Sequence, residues 1–369
     1  MNDLGGAMLG GGEARAARFG ETSALRIGEI EAPRSGETEA LRFAGMEAPR
    51  LVETEVPRFG EIESLRFVKF DPSGNTTVLI LDPVPRERFA EVARVVMSDR
   101  SVGAEQVGFC LPGSPPGSLP RLQMMGGEFC GNAARCFAAW LAMEGGAELS
   151  GKAADKTGAD KTEVSVSIEV SGSDAPLTAR VGRIRGKPNG RSVSIAMPMP
   201  LPDGIVSGRD EALGDFNLVA FPGITHLILW EREPEGDRQV GAERVLARAR
   251  ALIARHGFST ECFGLLYCDC GGTRAPHAGS PVPSCADSPA AVQRDPSVPP
   301  NAGALRMVPL VRVEAADSLV WEGSCGSGTV AVACALAARS AVPATAQTAV
   351  TEVTLAQPGG CLGARVEWA

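Results

Sequence analysis

Two cysteines stand in the same local setting far apart in the chain, Glu128-Phe129-Cys130-Gly131-Asn132-Ala133 and Gly323-Ser324-Cys325-Gly326-Ser327-Gly328. Each closes a short turn of small residues and precedes an apolar run at helical spacing: Cys136, Ala139, Trp140 and Met143 after the first, Val330, Ala333, Cys334 and Ala335 after the second. Such a cysteine sets its sulfur beside a helix N-terminus, where unpaired N–H groups and the positive end of the macrodipole favour thiolate and bind carboxylate. Two such thiols on opposite sides of a small carboxylate-bearing molecule can take a proton from one face and return one to the other. That chemistry inverts a stereocentre without a cofactor. Taken singly, either cysteine reads better as a buried small hydrophobe. The repeat of the whole turn-to-helix context is what argues for a pair.

The elements that must position these thiols follow from the patterning around them. An eight-residue unit such as Gly20-Glu21-Thr22-Ser23-Ala24-Leu25-Arg26-Ile27 recurs from residue 12 to residue 67, with too few apolar side chains to offset the entropy of ordering. Residues 1–63 are therefore expected to be a disordered tail; Pro33, Pro49 and Pro57 argue against a solenoid. The first half, 64–200, alternates as strands at 65–70, 77–81, 107–111, 164–170 and 191–197, with an amphipathic helix at 86–97 placing Phe89, Val92 and Val96 on one face. A polar connector spans 145–161. The second half, 201–345, reads as strands within 218–230, folded at Pro222-Gly223, and at 262–267, 306–313 and 318–321. A basic amphipathic helix spans 240–256, and another runs from Cys325 to about residue 340. Residues 271–303, rich in Pro, Gly, Ser and Ala, form an expected flexible insertion, and two last strands fall within 346–369. Cys268, Cys270, Cys285 and His277 lack the paired spacing of a tetrahedral site, so no metal is expected.

Composition bounds the partners. The chain has 369 residues, enough for two to three domains, and a formal net charge of −8, which argues against nucleic acid or an anionic membrane surface. Ten cysteines with no signal-peptide pattern and no apolar run of spanning length point to a reducing cytoplasm.

Glu128 to Cys136 and Gly323 to Ala333 resemble the two active-site segments of the diaminopimelate epimerase family of cofactor-independent amino-acid racemases. The resemblance continues, in the same order, through Phe67 to Asn75, Gly103-Ala104-Glu105-Gln106, Gly223-Ile224-Thr225-His226 and Gln357-Pro358-Gly359-Gly360-Cys361-Leu362, covering roughly 65–368. It implies an α+β fold of two pseudo-symmetric lobes, each a curved β-sheet wrapped around a central helix, with the active site in the cleft between them and the terminal strands returning to the first lobe. It further implies Cys130 and Cys325 as the catalytic pair and Asn75, Glu105, Gln106, Gly131, Asn132, His226, Gly326 and Ser327 as substrate contacts, with His226 a hydrogen-bond partner of Cys130. No cofactor and no metal are expected; the ligand is an amino acid, and relatives commonly form homodimers.

The chain departs from the diaminopimelate enzymes where these hold the far end of their substrate. Arg121 and Ile224 stand at two of the expected Asn positions, residues 262–267 contain no Asn, and Glu314-Ala315-Ala316-Asp317-Ser318 has no Arg after its Glu. A second carboxylate-ammonium end would lose its partners. What remains is similar to the histidine racemase branch, which supplies D-histidine to opine-type metallophore synthesis; there Glu105 would accept from the imidazole N–H. A diaminopimelate epimerase with an altered pocket, and a non-catalytic amino-acid-binding or metal-binding protein, are the alternatives.

Overall fold

A computed structural model of the chain describes residues 25–27, 65–98, 101–144, 163–183, 190–233, 238–269, 305–339 and 349–368. The 145–161 connector and the 271–303 insertion lie outside them, as do Cys270, His277 and Cys285.

Three residues of the repeat tail, β1 (Leu25–Ile27), form a strand, where residues 1–63 were expected to lack structure. The backbone of β1 pairs antiparallel with one strand from each half, closing two edges that would otherwise present unpaired N–H and C=O groups. The rest of the tail before residue 65 lies outside the described residues.

The first lobe is a curled mixed sheet: β2 (Phe67–Phe70), β3 (Thr77–Ile80), β4 (Gln106–Leu111), β5 (Arg121–Met124), β6 (Val164–Val170), β7 (Leu177–Arg183) and β8 (Arg191–Met197), hydrogen-bonded in that order. The second holds β9 (Ile205–Asp210), β10 (Gly214–Phe221), β11 (Ile224–Leu229), β12 (Cys262–Asp269), β13 (Arg306–Val313), β14 (Ser318–Trp321), β15 (Ala349–Gln357) and β16 (Gly360–Trp368), with β14 off the main path against β13. The pairings from β2 to β7 run antiparallel, parallel, antiparallel, parallel, antiparallel. The same series recurs from β10 through β11, β12, β13 and β15 to β16. Each parallel step needs a crossover. The first in each lobe carries an outer helix, α1 (Phe89–Met97) or α3 (Arg238–Arg255); the second carries the helix that begins just after a cysteine, α2 (Gly131–Glu144) or α4 (Gly326–Arg339).

Inner and outer helices differ as their sequences require. Helix α1 buries Phe89, Val92, Ala93 and Val96, the stripe expected from its periodicity, and Phe89 stacks on Phe109 of β4 with ring centroids 3.8 Å apart. In α4 every residue from Gly326 to Ala337 is buried, because the sheet wraps it on all sides and only small side chains let strands come that close. Helix α2 is equally enclosed, Arg135 included.

Strands β5, β7 and β9 had no counterpart among the expected elements. In Leu177-Thr178-Ala179-Arg180-Val181-Gly182-Arg183 the inward set Leu177, Ala179 and Val181 has a small Ala at its centre, and Gly182 breaks the alternation, so the pattern is faint in sequence. The terminal strands β15 and β16 pack on α4 within the second lobe. Their connecting turn reaches the first lobe, packing on residues 73–74.

Candidate active site

Cys130 and Cys325 cap α2 and α4 in the same way. Cys130 Sγ accepts from Ala133 N–H at 3.3 Å, and Cys325 Sγ accepts from Gly328 N–H at 3.3 Å, each sulfur taking the place of a capping Ser oxygen. The two helix mouths open on one cleft. Besides both cysteines it is lined by Glu105, Gln106, Glu128, Asn132, Glu322, Gly326 and Ser327, with an apolar wall that includes Ile224, Val311 and Val313. Strand β14 contributes by its pleat: Ser318, Val320 and, two residues on, Glu322 all face the cleft.

Of the expected contacts, Glu105, Gln106, Asn132, Gly326 and Ser327 thus line the cleft, whereas Asn75, Gly131 and His226 do not. Asn75 is fully buried, and its Nδ2 has no hydrogen-bond partner among the described residues. The Asn132 carboxamide donates across the lobes to the Ser324 carbonyl at 2.9 Å and accepts from Arg135 Nη2 at 2.6 Å. His226 departs furthest. Its Nε2 lies 3.0 Å from Ser327 Oγ, which lies 3.5 Å from Cys325 Sγ, so it stands on the side of the second cysteine and not of Cys130. The Cys130 thiol meets the Gln106 Oε1 instead. A position on β11, inside the second lobe and beside α4, accounts for this.

Glu128 and Glu322 were not anticipated as site residues, although each stands two or three positions before its cysteine, a symmetry the sequence displays. With Glu105 they put three carboxyl groups around the cleft and no basic side chain among its lining residues. Burial pushes Glu105 and Glu128 up to about 7; backbone N–H bonds, from Gly323 to Glu105 at 3.0 Å and from Gly126 to Glu128 at 2.8 Å, partly oppose it. Burial, reinforced by the charge of Glu105, pushes Glu322 up to about 8. Both thiols are raised as well, by burial first and then by Glu322. The helix N-termini therefore do not win, as the sequence suggested they would. Their N–H groups lower both thiols, but desolvation outweighs them in a cleft that already holds acidic groups.

A pH dependence of stability follows. Between the ordinary carboxyl value of 4.5 and the raised values near 7 and 8, the folded chain keeps protons that the unfolded chain has released, so stability falls as pH rises across that interval. His226, held neutral by burial down to about 3, acts oppositely below 6.5. Thermal unfolding without ligand should show Tm falling from pH 6.5 to 8; a level or rising Tm would mean that these carboxyls are not protonated in the cleft.

Two glycine contacts fix the thiol loops. At the Cys325 loop, Gly323 packs on Gly74 and Gly359 on Ser73 and Gly74, so closely that a Cβ on Gly323 would lie 1.9 Å from the Gly74 carbonyl oxygen. At the Cys130 loop, Gly223 packs on Gly172, and a Cβ on Gly172 would lie 2.6 Å from the Phe129 nitrogen. Each loop is thus gripped by one hairpin turn of its own lobe and one of the other.

Two curled half-barrels, each closed on an apolar helix, with one cleft between the helix mouths, make up this α+β protein, and its family and relatives make it an isomerase of the racemase class. Residues 64–267 and 301–369 match the family model described as histidine racemase CntK N-terminal domain, and the chain belongs to that family. Two proteins of Fusobacterium nucleatum subsp. nucleatum named histidine racemase are each 28% identical over 267 residues, 72% of this chain and 79% or 78% of theirs. A histidine racemase of Staphylococcus aureus is 40% identical over 68 residues, 18% of this chain and 25% of that one. A crystal structure of methylitaconate-delta-isomerase aligns over 92% of this chain and 88% of that one at 10% identity and a TM-score of 0.38, a likeness too slight to carry weight. Among the described residues no helix is long and apolar enough to cross a membrane, and no group of three or more His, Cys, Asp or Glu is placed to hold a metal ion.

Proposed function

We propose that this protein interconverts L- and D-histidine by passing the α-proton between Cys130 and Cys325. The observation that carries this reading is the pairing of two capped thiols with three carboxyls, Glu128 and Glu322 buried and Glu105 half-buried, on one cleft. Such a cleft favours a cationic ligand, and histidine brings an ammonium and an imidazole that can itself be charged. Binding a cation among these carboxyls puts a positive charge beside the thiols, which opposes both the burial and the lesser carboxylate repulsion that hold them protonated, so thiolate forms when the substrate is in place. The α-carboxylate sits at the helix mouths, where backbone N–H groups of Asn132, Gly326 and Ser327 take up charge as the α-carbon flattens. The thiol on the far face then returns a proton, and the pair titrates as one unit. Gln106, whose Oε1 meets Cys130, has an Nε2 with no partner among the described residues and can donate to the same carboxylate. The D-histidine would supply opine-type metallophore synthesis, in keeping with the family resemblance.

Glu105 reads the side chain. One of its oxygens is fixed by Gly323 N–H, which leaves the other to accept from the imidazole. Glu105→Gln keeps an oxygen for Gly323 but turns an NH₂ toward the imidazole, and should lower kcat/KM for histidine about 10- to 100-fold with little change in Tm. Unchanged kinetics would remove Glu105 from the site.

The deciding test is proton NMR of L-histidine with the reduced protein in deuterated water, beside other L-amino acids and diaminopimelate. Loss of the α-proton signal of histidine with appearance of the D-isomer is the expected result. Turnover of diaminopimelate instead would overturn the substrate, and no exchange with any of them would overturn the reaction.

A further inference from the structure

His226 does not line the cleft, yet it is fully buried and lies behind Ser327. Its Nδ1 has no hydrogen-bond partner among the described residues, and it presses on β12 where a Cβ on Gly264 would come within 2.5 Å of that nitrogen. A proton on Nδ1 would be a stranded buried donor, whereas a bare lone pair there is tolerated more easily. The proton therefore belongs on Nε2, which donates to Ser327 Oγ. With its oxygen occupied as acceptor, the Ser327 hydroxyl has its own proton free to point at Cys325 Sγ, 3.5 Å away. Cys325 Sγ then receives two donors, Ser327 O–H and Gly328 N–H. Cys130 has no such arm, since its side-chain neighbour Gln106 presents an oxygen that accepts the thiol proton.

The charged and titratable surroundings are not the source of the arm at Cys325. Glu322 bears on both thiols, Glu128 on Cys130 and Cys130 on Cys325, while Cys262 of β12 feels all four groups. Cys325 is the more deeply buried of the pair and so needs the larger offset to ionise.

We infer that His226 is a positioning residue that, through Ser327, lets the buried Cys325 ionise, leaving Cys130 as the thiol held protonated by Gln106. The inference rests on the two-thiol reading but predicts behaviour of the free protein, with no substrate turned over. Each thiol's ionisation is read from the pH dependence of its alkylation by iodoacetamide, followed by peptide mass spectrometry. Midpoints, unlike raw rates, are insensitive to differences in access. In Ser327→Ala the Cys325 midpoint should rise by about one unit, which is about 10-fold slower alkylation at pH values below it, with Cys130 unmoved. His226→Leu should shift Cys325 likewise, and His226→Gln, which keeps a donor for Ser327, should restore most of the original midpoint. Ser327→Ala keeps the test decisive should His226→Leu fail to fold. A Cys325 midpoint unchanged in Ser327→Ala, or equal shifts of both thiols, would overturn the role of this arm. The predicted shifts without histidine racemisation would overturn the proposed reaction and leave the arm standing.

Discussion

Cys130→Ser and Cys325→Ser should each lower histidine racemisation at least about 10³-fold, within the range that a positioned acid or base contributes, while Tm stays near that of the parent. Serine is the informative substitution because both cysteines cap helices. Its oxygen can accept from Ala133 N–H or Gly328 N–H as the sulfur does, so the folded state keeps its caps and only the proton-transfer group changes. A hydroxyl is far too weak an acid to replace the thiol. Racemisation rate and thermal unfolding of both variants would check this. Retained racemisation in either one would show that its sulfur is not a proton carrier, whereas a parallel collapse of Tm would show that the sulfur packs in a way oxygen cannot.

Gly323→Ala carries the second large effect. Its Cβ would meet the carbonyl oxygen of Gly74 at 1.9 Å and the carbonyl carbon at 2.6 Å, and backbone cannot swing aside as a flexible side chain can. The turn at 71–75 must move, and with it the seat of Cys325, Ser324 included, whose hydroxyl donates to Pro72 O at 3.1 Å. A loss of about 3 kcal/mol in stability and at least about 10²-fold in activity is expected, since roughly an ångström of misplacement suffices for the latter. Gly103→Ala is the control. Gly103 has φ +63° but nothing within 4 Å of the place a Cβ would take, so the substitution should cost only about 1–2 kcal/mol of backbone strain. Gly323 itself has no left-handed φ, so a loss no larger than that of Gly103→Ala would show that the Gly74 turn yields to the added methyl and that crowding there does not govern the seat of Cys325.

Much of this was legible in the chain because it is local. The helix after each cysteine, the folded pair of strands at Pro222-Gly223 and the face of α1 are written in spacing that needs no partner to interpret. The cysteine pair was visible as a repeated context, and the two-lobed plan came from resemblance. What sequence could not express is proximity between distant segments. His226 is near Thr225 and Leu227 in any reading, but only the packing of β11 beside α4 decides which thiol it serves. The protonated state of the cleft was hidden for the same reason. A helix N-terminus is a local feature that favours thiolate, whereas burial beside Glu322 and Glu128 arises only when the lobes meet. Faint strands such as β7 escaped because Ala and Gly weaken an alternation that the neighbouring β6 and β8 enforce.

The exchange of turns between lobes has a consequence for inheritance. The Gly74 turn of the first half grips the loop of the second thiol, and the Gly223 turn of the second half grips the loop of the first. Neither half therefore owns its reactive group. A substitution that reshapes one lobe is read out at the sulfur of the other, and the two halves, however similar in plan, must drift together. They are bound less like two domains on a string than like two hands, each holding the other's tool.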